Sequence, residues 1–148
     1  MKRDFQRQKV YDWEAKYIEP QDKSKVDFES AQKIVDYVWA QEGLSYSPKV
    51  VELPKQTKRA CAKANRTRVL LPREGTVSTA TLLHELAHSM TMTHDDEGDR
   101  HGEKFAGIYM QLLDRYLKIP LVVSMHTAAK MKVKYDTTAK PVFLDEIN

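Results

Sequence analysis

Two histidines and a glutamate lie at a spacing that suits zinc chemistry. Residues 82–88 read Leu-Leu-His-Glu-Leu-Ala-His, which places the histidines at positions 84 and 88. In a helix, residues four apart share a face, so His84 and His88 present two imidazoles to one point. Glu85 can reach a water held at that point and accept its proton. The run therefore predicts two zinc ligands and a general base; the alternative is an amphipathic helix with two unrelated histidines.

A catalytic zinc ion usually has three protein ligands, and the remaining histidines are His94, His101 and His126. His94 follows His88 at the metzincin spacing, but Thr91 stands where that pattern has the glycine that turns the chain out of the helix. We expect the helix to continue past this position and to carry His94 away from the metal. His126 has no supporting spacing, and we expect it at or near the surface.

His101 lies at the expected start of the next helix. A loop of about a dozen residues can bring that start back to the motif helix, and Gly102 allows the backbone to approach closely. His101 is therefore the favoured third ligand. The remaining alternatives are a water and three side chains: His94, Glu103 and Asp114.

The composition indicates one domain over residues 1–148. Of the 148 residues, 41% are apolar and 30% are charged, which is ordinary for a globular protein. No apolar run follows the charged first residues, so we expect no secretory signal, and no stretch is long enough to span a bilayer. The single cysteine, Cys61, excludes an internal disulfide and a cysteine cluster for metal. We therefore expect a cytoplasmic protein with a metal site of histidine and carboxylate.

Charge is distributed unevenly, although the net charge is only +3. Residues 49–73 contain one acid, Glu52, and eight bases: Lys49, Lys55, Lys58, Arg59, Lys63, Arg66, Arg68 and Arg73. This stretch could attract nucleic acid or an acidic substrate, or it could be the solvated face of edge strands. The acidic loop over residues 95–99 could supply hydrogen-bond acceptors to the ligand histidines, or it could be a solvated turn.

Apolar periodicity predicts helices around a small sheet. The helices are expected over residues 4–18, from a capping box at 24–27 to Gly43, from 76–78 to about 92 and over 102–118, with a further short one over 121–131. Strands are expected at 50–53, 59–64 and 67–71, the last two as an antiparallel pair. This order predicts an α+β domain with a small, mostly antiparallel sheet of about three strands and a loose tail over about residues 137–148.

The segment His101-Gly102-x-x-Phe105 resembles the SprT-like zinc proteins, in which His-Gly-x-x-Phe or -Trp opens the helix after His-Glu-x-x-His. The likeness is closer to a group of small bacterial and phage proteins described as zinc metallohydrolases. That group has an N-terminal signature, Arg-Asp-x-Gln-Arg-x-x-Val-Tyr, which is similar to residues 3–11. The other matching segments are Leu71-Pro72, residues 83–88 and Leu112-Leu113-x-x-Tyr116. The second strand region and the tail depart from the group.

The resemblance implies a zincin-like fold and a zinc-dependent metallohydrolase, most simply a metallopeptidase with a protein or peptide substrate. It implies zinc ligation by His84, His88 and His101, with Glu85 as the catalytic base. Because zincins commonly hold a peptide against an edge strand, residues 59–71 are a candidate substrate rail. Besides zinc, the oxyanion needs a second stabilising group, and four side chains are candidates for it: Arg100, Tyr109, Tyr116 and Tyr135.

Two other functions stay open. Some SprT-like proteins cleave protein attached to DNA, so one alternative is a nucleic-acid-associated protease or a zinc-binding module without catalysis. The basic residues over 49–73 support it, but no recognised DNA-binding motif accompanies them. The other alternative is a catalytically silent zincin fold used for interaction. The intact Glu85 argues against it, because a purely structural zinc site does not need that carboxylate.

Overall fold

The computed structural model of the chain describes residues 4–54, 62–93, 95 and 97–143, and it has an α+β fold. The elements in chain order are α1 (Arg7–Trp13), β1 (Val26–Asp27), α2 (Phe28–Gln41), β2 (Lys49–Glu52), β3 (Lys63–Ala64), β4 (Arg68–Leu71), β5 (Thr76–Val77), α3 (Thr79–Thr91), α4 (Glu103–Leu117) and α5 (Leu121–Lys130). The α+β class expected from the sequence is therefore confirmed.

The first helix changes its winding along its length. After α1 the chain passes into a π-helical turn, Glu14–Ile18, and then into a 3₁₀ turn, Glu19–Gln21. Pro20 lies in this last turn and ends the helical segment, as expected. Trp13 is fully buried and donates from Nε1 to Thr127 Oγ1 on α5 at 2.9 Å. The N-terminal segment is therefore attached to the C-terminal part of the fold.

The second helix does not begin with the capping box expected over residues 24–27. Asp27 caps it instead, because its Oδ1 accepts a hydrogen bond from Ser30 N at 2.8 Å. Ser24 caps a different helix: its hydroxyl accepts from the backbone N–H of Thr79, the first residue of α3, at 2.9 Å. The capping-box prediction is wrong because β1 occupies this stretch and pairs with β5.

Two small sheets lie against the helices. β1 and β5 form an antiparallel pair, and a three-stranded sheet has the order β2-β4-β3. β3 and β4 are antiparallel, as expected, and Asn65 closes their turn by accepting hydrogen bonds at Oδ1 from the backbone of Thr67 and Arg68. β2 pairs with β4 in parallel, and the β1–β5 pair was not expected. Within the strand expected over residues 59–64, residues 59–61 lie outside the described part.

The motif helix α3 is almost wholly buried. Ser78, one of the expected caps, closes its first turn, and Asp22 Oδ2 accepts from Ala80 N at 2.8 Å. A carboxylate in this place also complements the positive end of the helix dipole. Near the other end, Ser89 Oγ donates to Asn65 O at 2.7 Å, which ties α3 to the β3–β4 turn. α4 packs along the length of α3, so the two helices form the centre of the fold.

A single cluster of buried apolar side chains connects the elements. It includes residues from all five helices and from β4: Val10, Val35, Leu86, Leu112, Ala128 and Val69. Because a buried core of this kind holds side chains in fixed positions, residues on α3 and α4 can be placed accurately against each other. No helix in the described part of the chain has the length and apolar character needed to cross a membrane.

After α5 the chain returns across α4 and α3. Asp136 N donates to Glu103 O at 2.9 Å, and a Cβ at Gly107 would collide with the carbonyl oxygen of Asp136, so only glycine fits there. Further on, Val142 N donates to Met90 O at 2.8 Å. We expected a loose tail from about residue 137. Its described part, up to residue 143, contacts both helices, and residues 144–148 lie outside the described part.

Candidate metal centre

Three imidazoles meet at one point between α3 and the start of α4. His84 and His88 lie one turn apart on α3, and His101 lies just before α4. The Nε2 atom of His88 is 3.2 Å from Nε2 of His84 and 3.2 Å from Nε2 of His101. Tetrahedral ligation with Zn–N bonds of about 2.0–2.1 Å puts two ligand nitrogens roughly 3.3 Å apart. The three histidines therefore have the spacing of a tetrahedral metal site.

Two carboxylates from the N-terminal segment orient two of these imidazoles. The Glu14 carboxylate lies 2.9 Å from Nδ1 of His84, and Asp4 Oδ2 lies 2.8 Å from Nδ1 of His101. Because a carboxylate accepts, each Nδ1 carries a proton, and in the neutral imidazole each Nε2 keeps its lone pair. Lone pairs that converge at such a distance repel one another unless a cation lies among them. The donor set therefore fits a zinc ion.

The protein keeps two of the three imidazoles neutral. Burial, together with the positive charges of His84 and His101, holds the pKa of His88 well below 6.5. Burial also lowers the pKa of His101, although its hydrogen bond to Asp4 works in the opposite direction. For His84, burial lowers the pKa, but the charge and hydrogen bond of Glu14 and the charge of Glu85 raise it overall. Neutral imidazole is the form that binds metal, so His88 and His101 are ready to ligate.

Glu85 lies beside the histidines in the wall of an open cavity of about 550 Å³. Only 5% of the residue is exposed, and burial raises its pKa to about 7. The charge of His84 lowers this pKa, and the charge of Glu14 raises it. A carboxyl group with a pKa near neutrality can both accept and return a proton, which suits a general base.

Distant parts of the chain form the walls of this cavity. α3 contributes the motif residues, residues 62–64 at β3 form one side, and the loop over residues 97–101 forms another. The N-terminal segment contributes Asp4 and Tyr11. The Tyr11 ring stacks on His84, with 6.0 Å between centroids, and meets the edge of His101 at 5.1 Å. The cavity therefore joins the histidine cluster to an edge strand of the sheet.

The structure brings together the four residues that the sequence analysis selected: His84, Glu85, His88 and His101. His94, the alternative third ligand, lies outside the described residues. Glu103, Asp114 and His126 are exposed, and none of them joins the group of possible metal ligands found among the described residues. The expectation that the motif helix continues past Thr91 is wrong: the helix ends at Thr91, because Met92 is extended and forms an antiparallel bridge with Gly98.

The acidic loop does not supply the acceptors for the histidines, at least through its described residues 95 and 97–99. Asp99 Oδ2 accepts from the backbone N–H groups of Lys104 and Phe105, so it caps the first turn of α4. Asp4 and Glu14 take the role that we considered for this loop. One signal pointed to Asp4, which belongs to the N-terminal signature, whereas nothing in the sequence distinguished Glu14 from Asp12, the other acid of this segment.

Of the four candidates for the oxyanion stabiliser, only Arg100 is among the described residues that line the cavity. Tyr109 is fully buried, and its hydroxyl donates to Glu14 Oε2 at 2.9 Å. The Tyr116 hydroxyl donates to Glu42 Oε2 at 2.6 Å. Tyr11, which the sequence analysis did not consider, lines the cavity and is 40% exposed. Its position could not be inferred from sequence because it depends on a ring contact with His84, a residue far away in the sequence.

The basic stretch divides into buried and exposed residues. Arg66 is 6% exposed, and its guanidinium lies over the rings of Trp39 and Phe143, 4.8 and 5.2 Å from their centroids. It also donates to the carbonyl of Tyr46 at 3.2 Å, which is a structural role. Within the basic stretch, the exposed bases that the structure describes are Lys49, Lys63, Arg68 and Arg73, while Lys55, Lys58 and Arg59 lie outside the described residues.

Comparisons with protein families, with curated proteins and with solved structures found no match to this chain.

Proposed function

We propose that the protein is a zinc-dependent metallohydrolase, most simply a metallopeptidase. The observation that carries the proposal is the convergence of three Nε2 atoms at metal spacing, beside a buried glutamate and an open cavity. His84, His88 and His101 would hold the zinc ion. A zinc ion there would supply Lewis acidity to a water molecule and to the scissile carbonyl.

Glu85 is the general base in this proposal. Its carboxylate accepts a proton from the attacking water and returns it to the nitrogen of the leaving amine. The pKa of about 7 that burial gives this group supports both steps near neutral pH. Two residues that line the cavity, Tyr11 and Arg100, carry hydrogen-bond donors that would suit the oxyanion.

The sheet edge supports a peptide as the substrate. β3 is an edge strand of the three-stranded sheet, and Lys63 and Ala64 line the cavity. An extended peptide added to this edge would pass the histidine cluster and could be held by backbone hydrogen bonds. We therefore propose a zincin-like arrangement, in which the His101-Gly102-x-x-Phe105 segment closes the site as in the SprT-like proteins.

The experiment is peptide hydrolysis by the zinc-loaded protein and by Glu85→Gln. We expect the variant to bind zinc and to fold like the wild type, but to lose on the order of 10²–10⁴-fold in kcat. Glu97→Gln is a matched control, because Glu97 lines the same cavity but is exposed. Full activity of the Glu85 variant would falsify the mechanism.

A second candidate is action at nucleic acid, either on DNA-bound protein or as a zinc-binding module. One observation favours it: Lys49 and Arg68 are register partners on β2 and β4, and both are exposed. Adjacent cations of this kind would suit phosphate groups. Binding to duplex DNA should then weaken in Lys49→Glu/Arg68→Glu and fall steeply with salt. Lys33→Glu/Lys130→Glu changes the net charge equally at other exposed sites, and equal binding by both double variants would remove this candidate.

A further inference from the structure

Among the described residues, the two carboxylates that hydrogen-bond to the histidine cluster both lie in the N-terminal segment, residues 4–14. We propose that this segment, here called the arm, is a positioning element of the metal centre, and that docking of the arm and binding of zinc stabilise each other. Asp4 and Glu14 are positioning residues, because they touch the ligand histidines rather than the metal or the substrate. The inference rests on the zinc-binding part of the proposed function and is independent of hydrolysis.

The two contacts of the arm are sheltered from water. The side chains are 6% and 12% exposed in the His84–Glu14 pair, and 8% and 18% exposed in the His101–Asp4 pair. Hydrogen bonds in such surroundings are stronger than those at a surface. Each contact selects the Nδ1–H form of its histidine and fixes the plane of the ring. The arm therefore presents two of the three Nε2 lone pairs to the metal.

Glu14 is itself held from two sides. Its carboxylate accepts from His84 and also from the hydroxyl of Tyr109, a fully buried residue of α4. Glu14 is also the first residue of the π-helical turn that follows α1. Such turns are rare and frequently occur at functional sites, where the wider winding redirects a side chain. The local change of winding thus occurs at the residue that contacts His84.

A separate clamp holds the other end of the arm. Gln6 Nε2 donates to Lys134 O at 2.9 Å, and Lys134 N donates to Gln6 Oε1 at 2.9 Å. Gln6 is buried, lies only two residues after Asp4, and makes neither of the hydrogen bonds to the ligand histidines. The side-chain amide of Gln6 thus both donates to and accepts from the backbone of Lys134, as the backbone of a neighbouring strand would. The clamp sets the position of Asp4 without contributing to the metal site itself.

Coupling between the arm and the metal follows from these contacts. Releasing the arm would remove the acceptors from His84 and His101 and would leave both imidazoles free to rotate. Zinc would then bind less tightly, and by thermodynamic linkage bound zinc must favour the docked arm by the same factor. Because the Gln6 clamp lies outside the metal site, it allows this coupling to be measured without altering a ligand or its acceptor.

The test compares Gln6→Ala with Gln8→Ala, since Gln8 is an exposed glutamine on the same arm whose side chain donates to Asp12 Oδ1 at 2.9 Å. We expect Gln6→Ala to raise the zinc dissociation constant about tenfold, and Gln8→Ala to leave it unchanged. Zinc should also slow hydrogen exchange of backbone amides over residues 6–14 in the wild type, and less so in Gln6→Ala. Thermal unfolding of the metal-free proteins checks that both variants fold.

Substitutions of Glu14 provide a second test of the positioning role of the arm. Glu14→Gln keeps an acceptor oxygen, whereas Glu14→Ala removes it, so we expect zinc affinity to fall in the order wild type, Gln, Ala, with roughly 10–100-fold loss for Ala. The visible spectrum of bound cobalt(II) should change in Glu14→Ala and be largely restored in Glu14→Gln, because it reports ligand geometry.

Two outcomes would overturn the inference, and they can be told apart. If Gln6→Ala and Gln8→Ala bind zinc equally and zinc does not change exchange in the arm, the coupling is absent while the proposed hydrolase is untouched. If the wild type fails to bind zinc, the result contradicts the metal centre, the proposed function and the proposed role of the arm together.

Discussion

The ring of Phe105 stacks on the imidazole of His88, with 4.3 Å between centroids and 20° between planes. Phe105 also meets the edges of the His84 and His101 rings. It lies one helical turn after His101, so a single short segment delivers both the proposed third ligand and an aromatic contact to His88, another proposed ligand. This arrangement gives a physical reason for the spacing between His101 and Phe105.

Replacing Phe105 should therefore affect both stability and metal binding. Phe105→Leu keeps most of the buried apolar volume but loses the flat contact with His88. We expect the free energy of unfolding of the metal-free protein to fall by about 1–2 kcal/mol, measured by denaturant unfolding. Zinc affinity should fall as well, because the His88 ring becomes freer to rotate. Unchanged zinc affinity would show that the stack does not position the ligand.

Removing the third ligand should have a larger effect than removing its support. His101→Ala should lose more zinc affinity than the roughly 100-fold upper range for residues that only contact ligands, as measured by competition with a chelator. His126→Ala is the matched control, because His126 is exposed on α5. If His94→Ala lost zinc and His101→Ala did not, the assignment of the third ligand would be wrong.

Zinc affinity should decrease with falling pH, chiefly through one histidine. Zinc competes with protons for imidazole, and the lowered pKa values of His88 and His101 mean that neither has a proton to lose near neutral pH. His84 has a raised pKa, because Glu14 and Glu85 outweigh burial. Affinity should thus fall about tenfold per pH unit as the pH drops through the pKa of His84.

The carboxylate of Glu14 controls where this decrease begins. Glu14→Gln removes the charge that raises the pKa of His84, so the decrease should move to lower pH even though affinity at high pH is reduced. Calorimetric titration with zinc at several pH values measures both quantities. A slope much steeper than one proton, or the same midpoint in Glu14→Gln, would contradict the assignment.

A substitution at Tyr11 should distinguish the effect of ring packing on zinc affinity from the effect of the hydroxyl on kcat. Tyr11→Phe keeps the ring against His84 and His101 but removes the hydroxyl, so zinc affinity should stay the same. If the hydroxyl supports the oxyanion, kcat should fall on the order of 10²-fold with little change in KM. Arg100→Ala tests the other donor in the same assay. An unaffected kcat in Tyr11→Phe and a large loss in Arg100→Ala would assign the role to Arg100.

Sequence patterns predicted the features that depend on neighbouring residues. The spacing of four between His84 and His88 was sufficient to place both imidazoles at one point. Gly43, the expected end of the second helix, adopts a positive φ just after α2, and the antiparallel pair around Asn65 formed as expected. The placement of His101 was also predictable, because a loop of ordinary length limits where the next helix can begin.

The remaining features depend on contacts between distant segments, which local patterns do not encode. The capping box was a reasonable local reading of residues 24–27, but pairing of β1 with β5 took those residues into a strand. The parallel pairing of β2 with β4 and the carboxylate partners of His84 and His101 have the same origin. His101 and Asp4 are 97 positions apart, and no periodicity connects them.

The clamp between Gln6 and Lys134 joins positions 128 residues apart, which has a consequence for the order of assembly during translation. Because a chain emerges from the ribosome N-terminus first, the arm is made early but has no docking partner until residue 134 has left the exit tunnel. The motif helix and His101 are synthesised well before that moment. The proposed metal centre would therefore gain its positioning arm only late in synthesis, after all three histidines are already part of the chain.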